Sequence, residues 1–222
     1  MTRIKAIVFD MDGVLIDAKE WHYQALNRAL SLFGFAISRY DHLVTYDGLP
    51  TNKKLQILTS DHGFPRGLHR FVNELKQQYT LELICTQCRP EFVHEYALSK
   101  LRSEGYVLAV ASNSIRRTVE LMMERANLTQ YLDFMLSNQD IAKPKPDPEI
   151  YTTAMARAGA TPDECVVIED NHHGIEAATR AGAHVLRVTS VADVNYARIR
   201  SFIDSLEESS AATDAQTTRK AA

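Results

Sequence analysis

Short continuous apolar runs alternate with longer amphipathic stretches through the second half of the chain. The apolar runs have the length of buried strands, and they lie at 107–111, about 133–136, 165–168 and 184–188. The stretches between them have apolar residues at helical spacing, and they lie at about 91–104, 115–126, 148–158 and 174–181. Alternation of helices with buried strands predicts an α/β fold in which helices cover both faces of a parallel sheet.

The pattern changes between residues 17 and 83. Helical spacing covers about 20–33, 53–60 and 69–83, and glycines and prolines separate these stretches. We therefore expect a small all-helical cap at 17–83, inserted into a core domain that is formed by residues 1–16 and 84–205. Residues 206–222 are rich in Ser, Ala, Thr and Glu, and we expect this tail to be disordered because it has little to bury.

Two acidic residues, Asp10 and Asp12, follow the first strand candidate at Lys5–Phe9. The carboxyl ends of the strands form the ligand-binding edge of an open α/β sheet. Asp10 is a candidate nucleophile that would form an aspartyl phosphate, and Asp12 is a candidate general acid and base. The structural alternative for such a pair is an Asx-type turn or a helix cap.

Hydrogen-bond donors and a lysine are expected at the same edge. Ser112 and Asn113 follow a strand candidate and can donate to phosphate oxygens, while Ser112 or Ser114 can equally cap the next helix. Lys143 lies in a loop that three prolines stiffen. We expect its ammonium to neutralise the phosphate and Asp10, and we expect Lys145 in the same loop to be solvated.

Glu169 and Asp170 follow the strand candidate at 165–168. They would repel Asp10 unless a cation lies among the three groups, and hard oxygen ligands near a phosphate indicate Mg²⁺. Asp170 is expected to bind the ion directly, and Glu169 directly or through water. The neighbouring His172 and His173 are expected to be exposed, with a substrate contact as the alternative for His172.

These segments together resemble the haloacid dehalogenase superfamily of phosphohydrolases, nearest its β-phosphoglucomutase and phosphoglycolate-phosphatase-like branch. The matching segments keep the same order over about residues 4–188, and they are Asp10-Met11-Asp12-Gly13-Val14, Ser112-Asn113, Lys143-Pro144-Lys145-Pro146-Asp147, and Glu169-Asp170 followed by Gly174-Ile175-Glu176-Ala177-Ala178. The resemblance implies a Rossmann-like three-layer core with a C1-type helical cap. It also implies that the backbone carbonyl of Asp12 is a Mg²⁺ ligand, and the second carboxylate argues against dehalogenation.

Substrate choice is expected to lie in the cap, because the core segments would contact only phosphate and metal. His22 corresponds to a histidine that assists cap closure and proton transfer in the mutase; a surface histidine is the alternative. Gly48 and Thr51 resemble the specificity loop of this branch, where the mutase has an arginine for a second phosphate at about the place of Thr51. Replacement of that arginine by a nearby lysine stays open, and the candidates are Lys53, Lys54 and Lys76.

The missing arginine decides between two functions. A phosphatase needs one phosphate site and a water, whereas a mutase must hold a bisphosphate. The sequence therefore favours a Mg²⁺-dependent phosphatase for a small phosphomonoester such as a sugar or polyol phosphate, with a β-phosphoglucomutase-like mutase as the alternative. A catalytically idle binding or regulatory protein is the hypothesis from a different class.

Composition argues against several other classes. A net charge of −3 gives no reason to expect nucleic acid, and no apolar run has the length of a membrane-spanning helix. Because the chain enters a strand almost at once, we expect no secretory signal and a cytoplasmic location. A monomer is expected for a capped enzyme of this size. Cys85 and Cys88 form a lone C-x-x-C without further zinc ligands at suitable spacing, so we expect ordinary reduced thiols.

Overall fold

The computed structural model describes residues 3–220, with side chains described as far as Ser209. Five strands are present in this part of the chain, and they are β1 Ala6–Phe9, β2 Val107–Ala111, β3 Phe134–Leu136, β4 Cys165–Glu169 and β5 His184–Arg187. They form one parallel sheet in the order β3-β2-β1-β4-β5. The α/β fold with a parallel sheet is confirmed.

Helices make up most of the remaining structure. In chain order they are α1 Lys19–Ser31, α2 Arg39–Asp41, which continues as a π-helix at His42–Tyr46, α3 Thr51–His62, α4 His69–Gln87, α5 Phe92–Ser103, α6 Arg116–Arg125, α7 Glu149–Ala158, α8 His172–Arg180 and α9 Tyr196–Lys220. No helix among the described residues is long and apolar enough to cross a membrane.

Both faces of the sheet are buried. Successive strand residues point to opposite sides, and every residue of β1 and β4 is buried. On one face Ile7 and Phe9 of β1 belong to a cluster with residues of α5, α6 and α9, such as Leu98. On the other face Ala6 and Val8 pack with residues of α7 and α8. The near-continuous apolar strands are the signature of a sheet that is covered on both sides.

Helices α1 to α4 lie between β1 and α5 in the chain and have a hydrophobic cluster of their own. That cluster includes Leu26, Leu55 and Phe64, all of them almost fully buried. Helix α4 continues to Gln87, beyond the boundary expected at residue 83, and packs on both α1 and α6. The helical insert is therefore observed, while its division from the core at 17–83 stays a prediction.

The C-terminal segment differs from the disorder expected for residues 206–222. Helix α9 runs to Lys220 without a break, and residues 221–222 lie outside the described part. Leu206 packs against the core, and Glu207 Oε2 lies 3.3 Å from Arg200 Nη2. Packing at the start of this segment and helix-forming residues such as Ala and Gln further along favour continuation of the helix.

Candidate active site

The strand order reverses between β1 and β4, and the polar residues expected from the sequence meet at that point. Phe9 pairs with Ile168 of β4, and Val110 of β2 pairs with Phe9 from the other side. The residues that follow these three positions therefore lie at one level of the sheet edge. Such a switch point is where open α/β sheets bind their ligands.

Lys145 neutralises the Asp10 carboxylate. Its Nζ atom lies 2.6 Å from Asp10 Oδ1 and 2.7 Å from Glu169 Oε1, and it donates to the carbonyl of Ala111 at 2.9 Å. The Lys145 side chain is only 4% exposed. Burial opposes its charge, but the two carboxylates beside it raise the pKa of Lys145, so it is a fixed cation.

This arrangement differs from the expectation that the Lys143 ammonium neutralises Asp10. Lys143 is exposed, and its backbone N–H donates to Glu149 Oε2 at 2.9 Å, at the start of α7. The backbone N–H of Lys145 donates instead to Asn113 Oδ1 at 3.1 Å. Asn113 thus anchors the loop so that Lys145 turns inward, and Lys143 is the solvated lysine of the pair.

Glu169 is surrounded by donors from the protein itself. Oε1 accepts from Lys145 and from the Tyr151 hydroxyl at 2.5 Å, and Oε2 accepts from the backbone N–H groups of Asp170 and Asn171 at 3.1 and 3.3 Å. A Cβ atom at Gly174 would lie 1.7 Å from Oε1, so this contact requires a glycine. With four donors in place, Glu169 is better suited to hold a cation through water than directly.

Tyr151 was not among the residues singled out in the sequence. It is fully buried in the first turn of α7, and the Lys145 ammonium lies 4.7 Å from the centre of its ring. Burial and the nearby acidic groups Glu169 and Asp10 raise the pKa of Tyr151 well above its usual value. It therefore acts as a permanent hydrogen-bond donor to Glu169.

Asp170 forms an ion pair with a lysine of α1. Its side chain is 2% exposed, and Lys19 Nζ of α1 lies 2.8 Å from Oδ2. Within the described residues, Oδ1 is buried without a hydrogen-bond partner. Burial raises the pKa of Asp170 although the Lys19 ammonium lowers it.

Asp10, Glu169 and Asp170 form a cluster that fits a divalent cation. Each offers one carboxylate oxygen, and the three atoms lie within 4.8 Å of one another. Burial, and next the charge of Glu169, raise the pKa of Asp10 well above its usual value despite Lys145. Buried oxygens with an excess of negative charge are the donor set that Mg²⁺ prefers.

Asp12 contacts three donors beside the cluster. Oδ1 lies 2.9 Å from His22 Nε2, and Oδ2 accepts from Ser114 Oγ at 3.1 Å and from Ser112 Oγ at 3.5 Å. Burial opposes ionisation, but the His22 and Ser114 contacts hold the pKa of Asp12 below its usual value. The sequence indicated Ser114 only as a possible helix cap, so its contact with Asp12 is a second one that was not expected.

The hydrogen bonds of His22 define its protonation. Lys76 Nζ of α4, which can only donate, lies 3.2 Å from Nδ1. Nδ1 is therefore the acceptor, and Nε2 carries the proton that it donates to Asp12. Burial and the Lys76 charge lower the pKa of His22, so the ring stays neutral and links two cap helices to Asp12.

The remaining predicted residues line one cleft of about 210 Å³ between the cap helices and the sheet edge. Gly48, Thr51 and Asn113 are part of its wall. Gly48 has a φ of +71°, and a Cβ there would lie 2.8 Å from the Asn171 side chain, so glycine is needed for the close approach. The wall also includes His173, whereas His172 is exposed. The substrate contact considered for His172 is thus better suited to His173.

A family model matches the part of the chain that contains the sheet and the acidic cluster. The model for haloacid dehalogenase-like hydrolases matches residues 7–188, which contain every strand but the first residue of β1 and all the acidic groups described above. The chain belongs to this family. Its members named below include phosphatases, and the chain is an enzyme of this type.

Named relatives cover most of the chain. A phosphorylated carbohydrates phosphatase of Thermotoga maritima is 32% identical over 81% of the chain and 82% of its own length. A phosphoglycolate phosphatase of Aquifex aeolicus is 26% identical over 90% of both chains. Among solved structures, β-phosphoglucomutase of Clostridium difficile superposes with a TM-score of 0.78 over 91% of this chain and 98% of its own, at 21% identity. At that identity the third likeness concerns the fold alone.

Proposed function

We propose that the protein is a Mg²⁺-dependent phosphatase that hydrolyses a small phosphomonoester through an aspartyl phosphate on Asp10. The observation that carries this proposal is the position of Lys145 beside Asp10, with Asp12 within reach of the same cleft. A cation that holds one oxygen of a carboxylate leaves the other oxygen available for attack. Within the described residues, Asp10 Oδ2 has no hydrogen-bond donor, so Oδ2 is the attacking atom.

The first half-reaction transfers the phosphoryl group to Asp10. Oδ2 attacks phosphorus, the bond from phosphorus to the substrate oxygen breaks, and that oxygen takes a proton from Asp12. The pKa of Asp12 is low in the free site, but an incoming phosphate raises it by like-charge repulsion, so the carboxyl can carry the proton. Ser112 and Asn113 line the cleft where they can hold phosphate oxygens.

The second half-reaction frees Asp10 again. Asp12 removes a proton from water, the water oxygen bonds to phosphorus, and the bond from phosphorus to Asp10 breaks, which releases inorganic phosphate. His22, which donates to Asp12 and accepts from Lys76, keeps the Asp12 carboxylate oriented in both steps.

Magnesium would be held by Asp10 and Asp170, together with the Asp12 backbone carbonyl that the family resemblance implies. Glu169, whose oxygens are occupied by protein donors, would contact it through water. When bound, the ion supplies positive charge that stabilises the charge developing on the transferred phosphoryl group. Lys19 must then leave Asp170, and its 38% exposed side chain has room to do so.

The substrate class is proposed as sugar or polyol phosphates. The cleft is small compared with the usual 300–1,000 Å³ of ligand pockets, and the Thermotoga maritima relative is named for phosphorylated carbohydrates. A β-phosphoglucomutase-like activity remains the alternative.

The cytoplasmic location and the monomeric state stay predictions from the sequence.

Release of inorganic phosphate from a panel of sugar, polyol, acid and nucleoside phosphates tests the proposal. We expect release with Mg²⁺, none with EDTA, and none from an Asp10→Asn variant that folds like the parent. Conversion of β-glucose 1-phosphate to glucose 6-phosphate without phosphate release would establish the mutase instead. Turnover by Asp10→Asn at the parent rate would contradict the assignment of the nucleophile.

A further inference from the structure

Lys19, the first residue of α1, reaches from the helical insert to the acidic cluster of the site. Its Nζ atom lies 2.8 Å from Oδ2 of Asp170, one of the three carboxylates that fit a divalent cation. A Cβ atom at Gly13 would lie 2.2 Å from Asp170 Oδ2 and 3.0 Å from Lys19 Cε. The two side chains therefore meet directly over a glycine, and any larger residue there would separate them.

The Lys19 ammonium takes the place of a counter-ion for Asp170. The Asp170 side chain is only 2% exposed, and a buried carboxylate without a positive partner is costly. A lysine and a divalent cation on the same carboxylate would repel each other strongly at this distance. Lys19 therefore competes with the metal, and it has to move when a metal binds at Asp170.

Asp47 offers the displaced ammonium a second partner. Its Oδ2 atom lies 4.0 Å from Lys19 Nζ, at the outer limit of an ion pair. Lys19 and Asp47 also line a second cavity of about 550 Å³ beside the substrate cleft, and the Lys19 side chain is 38% exposed. Rotation of the flexible lysine side chain is sufficient to bring the ammonium from Asp170 to Asp47.

Asp47 also ties the helical insert to the sheet edge. The same Oδ2 atom accepts from the Asn171 side-chain amide at 3.4 Å. Asn171 is itself fixed, because its Oδ1 atom caps α8 by accepting from the backbone N–H of His173 at 3.0 Å. Asp47 Oδ2 is thus shared between Lys19 and Asn171. A close ion pair with the ammonium is stronger than the amide contact and would compete with it.

We propose that Lys19 is a switch between the metal site and the cap. Without metal, Lys19 pairs with Asp170 and holds the start of α1 on the sheet edge. With metal at Asp170, Lys19 pairs with Asp47, and both the start of α1 and residues 46–50 loosen from the core. Metal affinity and cap position are therefore coupled. This inference rests on the Mg²⁺ site of the proposed function, but it does not require hydrolysis of any substrate.

Calorimetric titration of Mg²⁺ into four metal-free proteins measures the coupling. The proteins are the parent, Lys19→Met, Asp47→Asn and the double variant. Lys19→Met should bind Mg²⁺ about twofold to fivefold tighter than the parent. Asp47→Asn should weaken binding more in the parent than in Lys19→Met, because it removes the second partner of a lysine that only the parent has. Equal effects in both backgrounds would mean that Asp47 acts on the ion directly, and they would overturn the switch.

Trp21 reports the position of α1. It is the only tryptophan of the chain, it lies two residues after Lys19, and it packs against the core cluster. Mg²⁺ should increase the quenching of its fluorescence by acrylamide in the parent, and hydrogen exchange should become faster over residues 46–50. Lys19→Met still binds the ion but should show neither change.

Two lysine variants give these measurements their controls. Lys19→Arg keeps a positive charge at the same place, so it should retain both responses to Mg²⁺. Lys5 pairs with Glu164 at the surface, and Lys5→Met should respond like the parent. A response to Mg²⁺ that is equal in the parent and in Lys19→Met would come from the ion itself and would overturn the switch.

An Asp170→Asn variant separates failure of the switch from failure of the proposed function. It removes a carboxylate from the cluster, so it should bind Mg²⁺ more weakly than the parent. If the parent does not bind Mg²⁺, or if Asp170→Asn binds it equally well, the proposed metal site fails and the switch fails with it. If Asp170 is needed for Mg²⁺ binding but Trp21 and residues 46–50 do not respond in the parent, only the switch is overturned.

Discussion

Replacement of Lys145 by methionine tests the electrostatic arrangement of the site without any assumption about the substrate. Its ammonium is the shared counter-ion of two carboxylates, at 2.6 Å from Asp10 and 2.7 Å from Glu169. The Asp10 and Glu169 side chains are 12% and 1% exposed. Methionine fills a similar volume but leaves these two carboxylates buried side by side.

The expected loss of stability follows from that burial. Removal of one partner from a buried ion pair costs about 3–5 kcal/mol. For a chain of this size, about 2–4 °C of melting temperature per kcal/mol gives a decrease of about 6–20 °C. Because burial and Glu169 already raise the pKa of Asp10, the variant also keeps a proton on these carboxylates to higher pH.

Urea denaturation of Lys145→Met and Lys143→Met, in EDTA at pH 7 and pH 5, measures the effect. Lys143 is exposed, so Lys143→Met should stay within about 0.5 kcal/mol of the parent. The loss of unfolding free energy in Lys145→Met should be smaller at pH 5 than at pH 7. A carboxyl whose pKa is raised in the folded state destabilises the protein as pH rises above the pKa of that carboxyl in the unfolded state. Added Mg²⁺ should restore part of the loss, since it supplies positive charge to the same cluster.

Two results would refute the reasoning. One is a loss of unfolding free energy for Lys143→Met as large as that for Lys145→Met, which would mean that Lys143 is also a buried partner of the carboxylates. The other is a Lys145→Met variant as stable as the parent at pH 7, which would mean that the two carboxylates need no counter-ion.

Three further changes test other parts of the site. Gly174→Ala places a Cβ 1.7 Å from Glu169 Oε1, so it should lower the free energy of unfolding by about 1–3 kcal/mol, measured in urea. Lys19→Met removes the ammonium 2.8 Å from Asp170, so calorimetry should show Mg²⁺ binding about twofold to fivefold tighter. The folded pKa of Lys54 is about 8 instead of 10.5, so Lys54→Met should exceed the parent in stability, on the order of 3 kcal/mol, below about pH 8. That advantage should disappear as pH rises towards 10.5, because the unfolded state then binds the proton that the folded state has lost.

Each of these changes has a control in the same chain. A Cβ atom added at Gly67 would have no neighbouring atom within 4 Å, so Gly67→Ala should be nearly neutral. Lys5 pairs with Glu164 at the surface, and Lys5→Met should leave Mg²⁺ affinity unchanged. Lys53→Met should show no pH-dependent gain. Three results would each contradict the corresponding argument. They are a Gly174→Ala variant as stable as the parent, weaker Mg²⁺ binding by Lys19→Met, and a gain in stability of Lys54→Met that grows above pH 8.

The sheet and its acidic edge could be predicted because they depend on local pattern. Runs such as Val107–Ala111 are short and continuously apolar, which is typical of a strand buried on both faces. Asp10 and Asp170 directly follow strands, and parallel strands end at one edge of the sheet. Their meeting therefore required only the parallel topology.

The local sequence does not show which of Lys143 and Lys145 reaches Asp10. The two residues lie in the same proline-rich loop, and the direction of each side chain depends on distant anchors. Asn113 accepts from the Lys145 backbone, and Glu149 accepts from the Lys143 backbone. The second contact, which anchors Lys143 at the start of α7, had a local signal in the sequence: an acidic residue at the start of a predicted helix.

Long-range pairs account for the other residues that the sequence did not indicate. Tyr151 meets Glu169 across the helix–sheet interface, and Lys19 meets Asp170 from the other end of the chain. A single sequence gives no signal for such contacts. The continuation of α9 past residue 206 has the same origin, since Leu206 is held by the core.

The central claim is that Asp10 becomes phosphorylated, and the most direct measurement is to trap that intermediate. The protein is mixed with a hydrolysed phosphoester and Mg²⁺, quenched in acid within one turnover, and reduced with borohydride, which converts an aspartyl phosphate to homoserine. Peptide mass spectrometry should find homoserine at position 10 in the parent and none in the EDTA sample. Turnover with no reduced residue, or with the reduction at Asp12 or Asp170, would contradict the account.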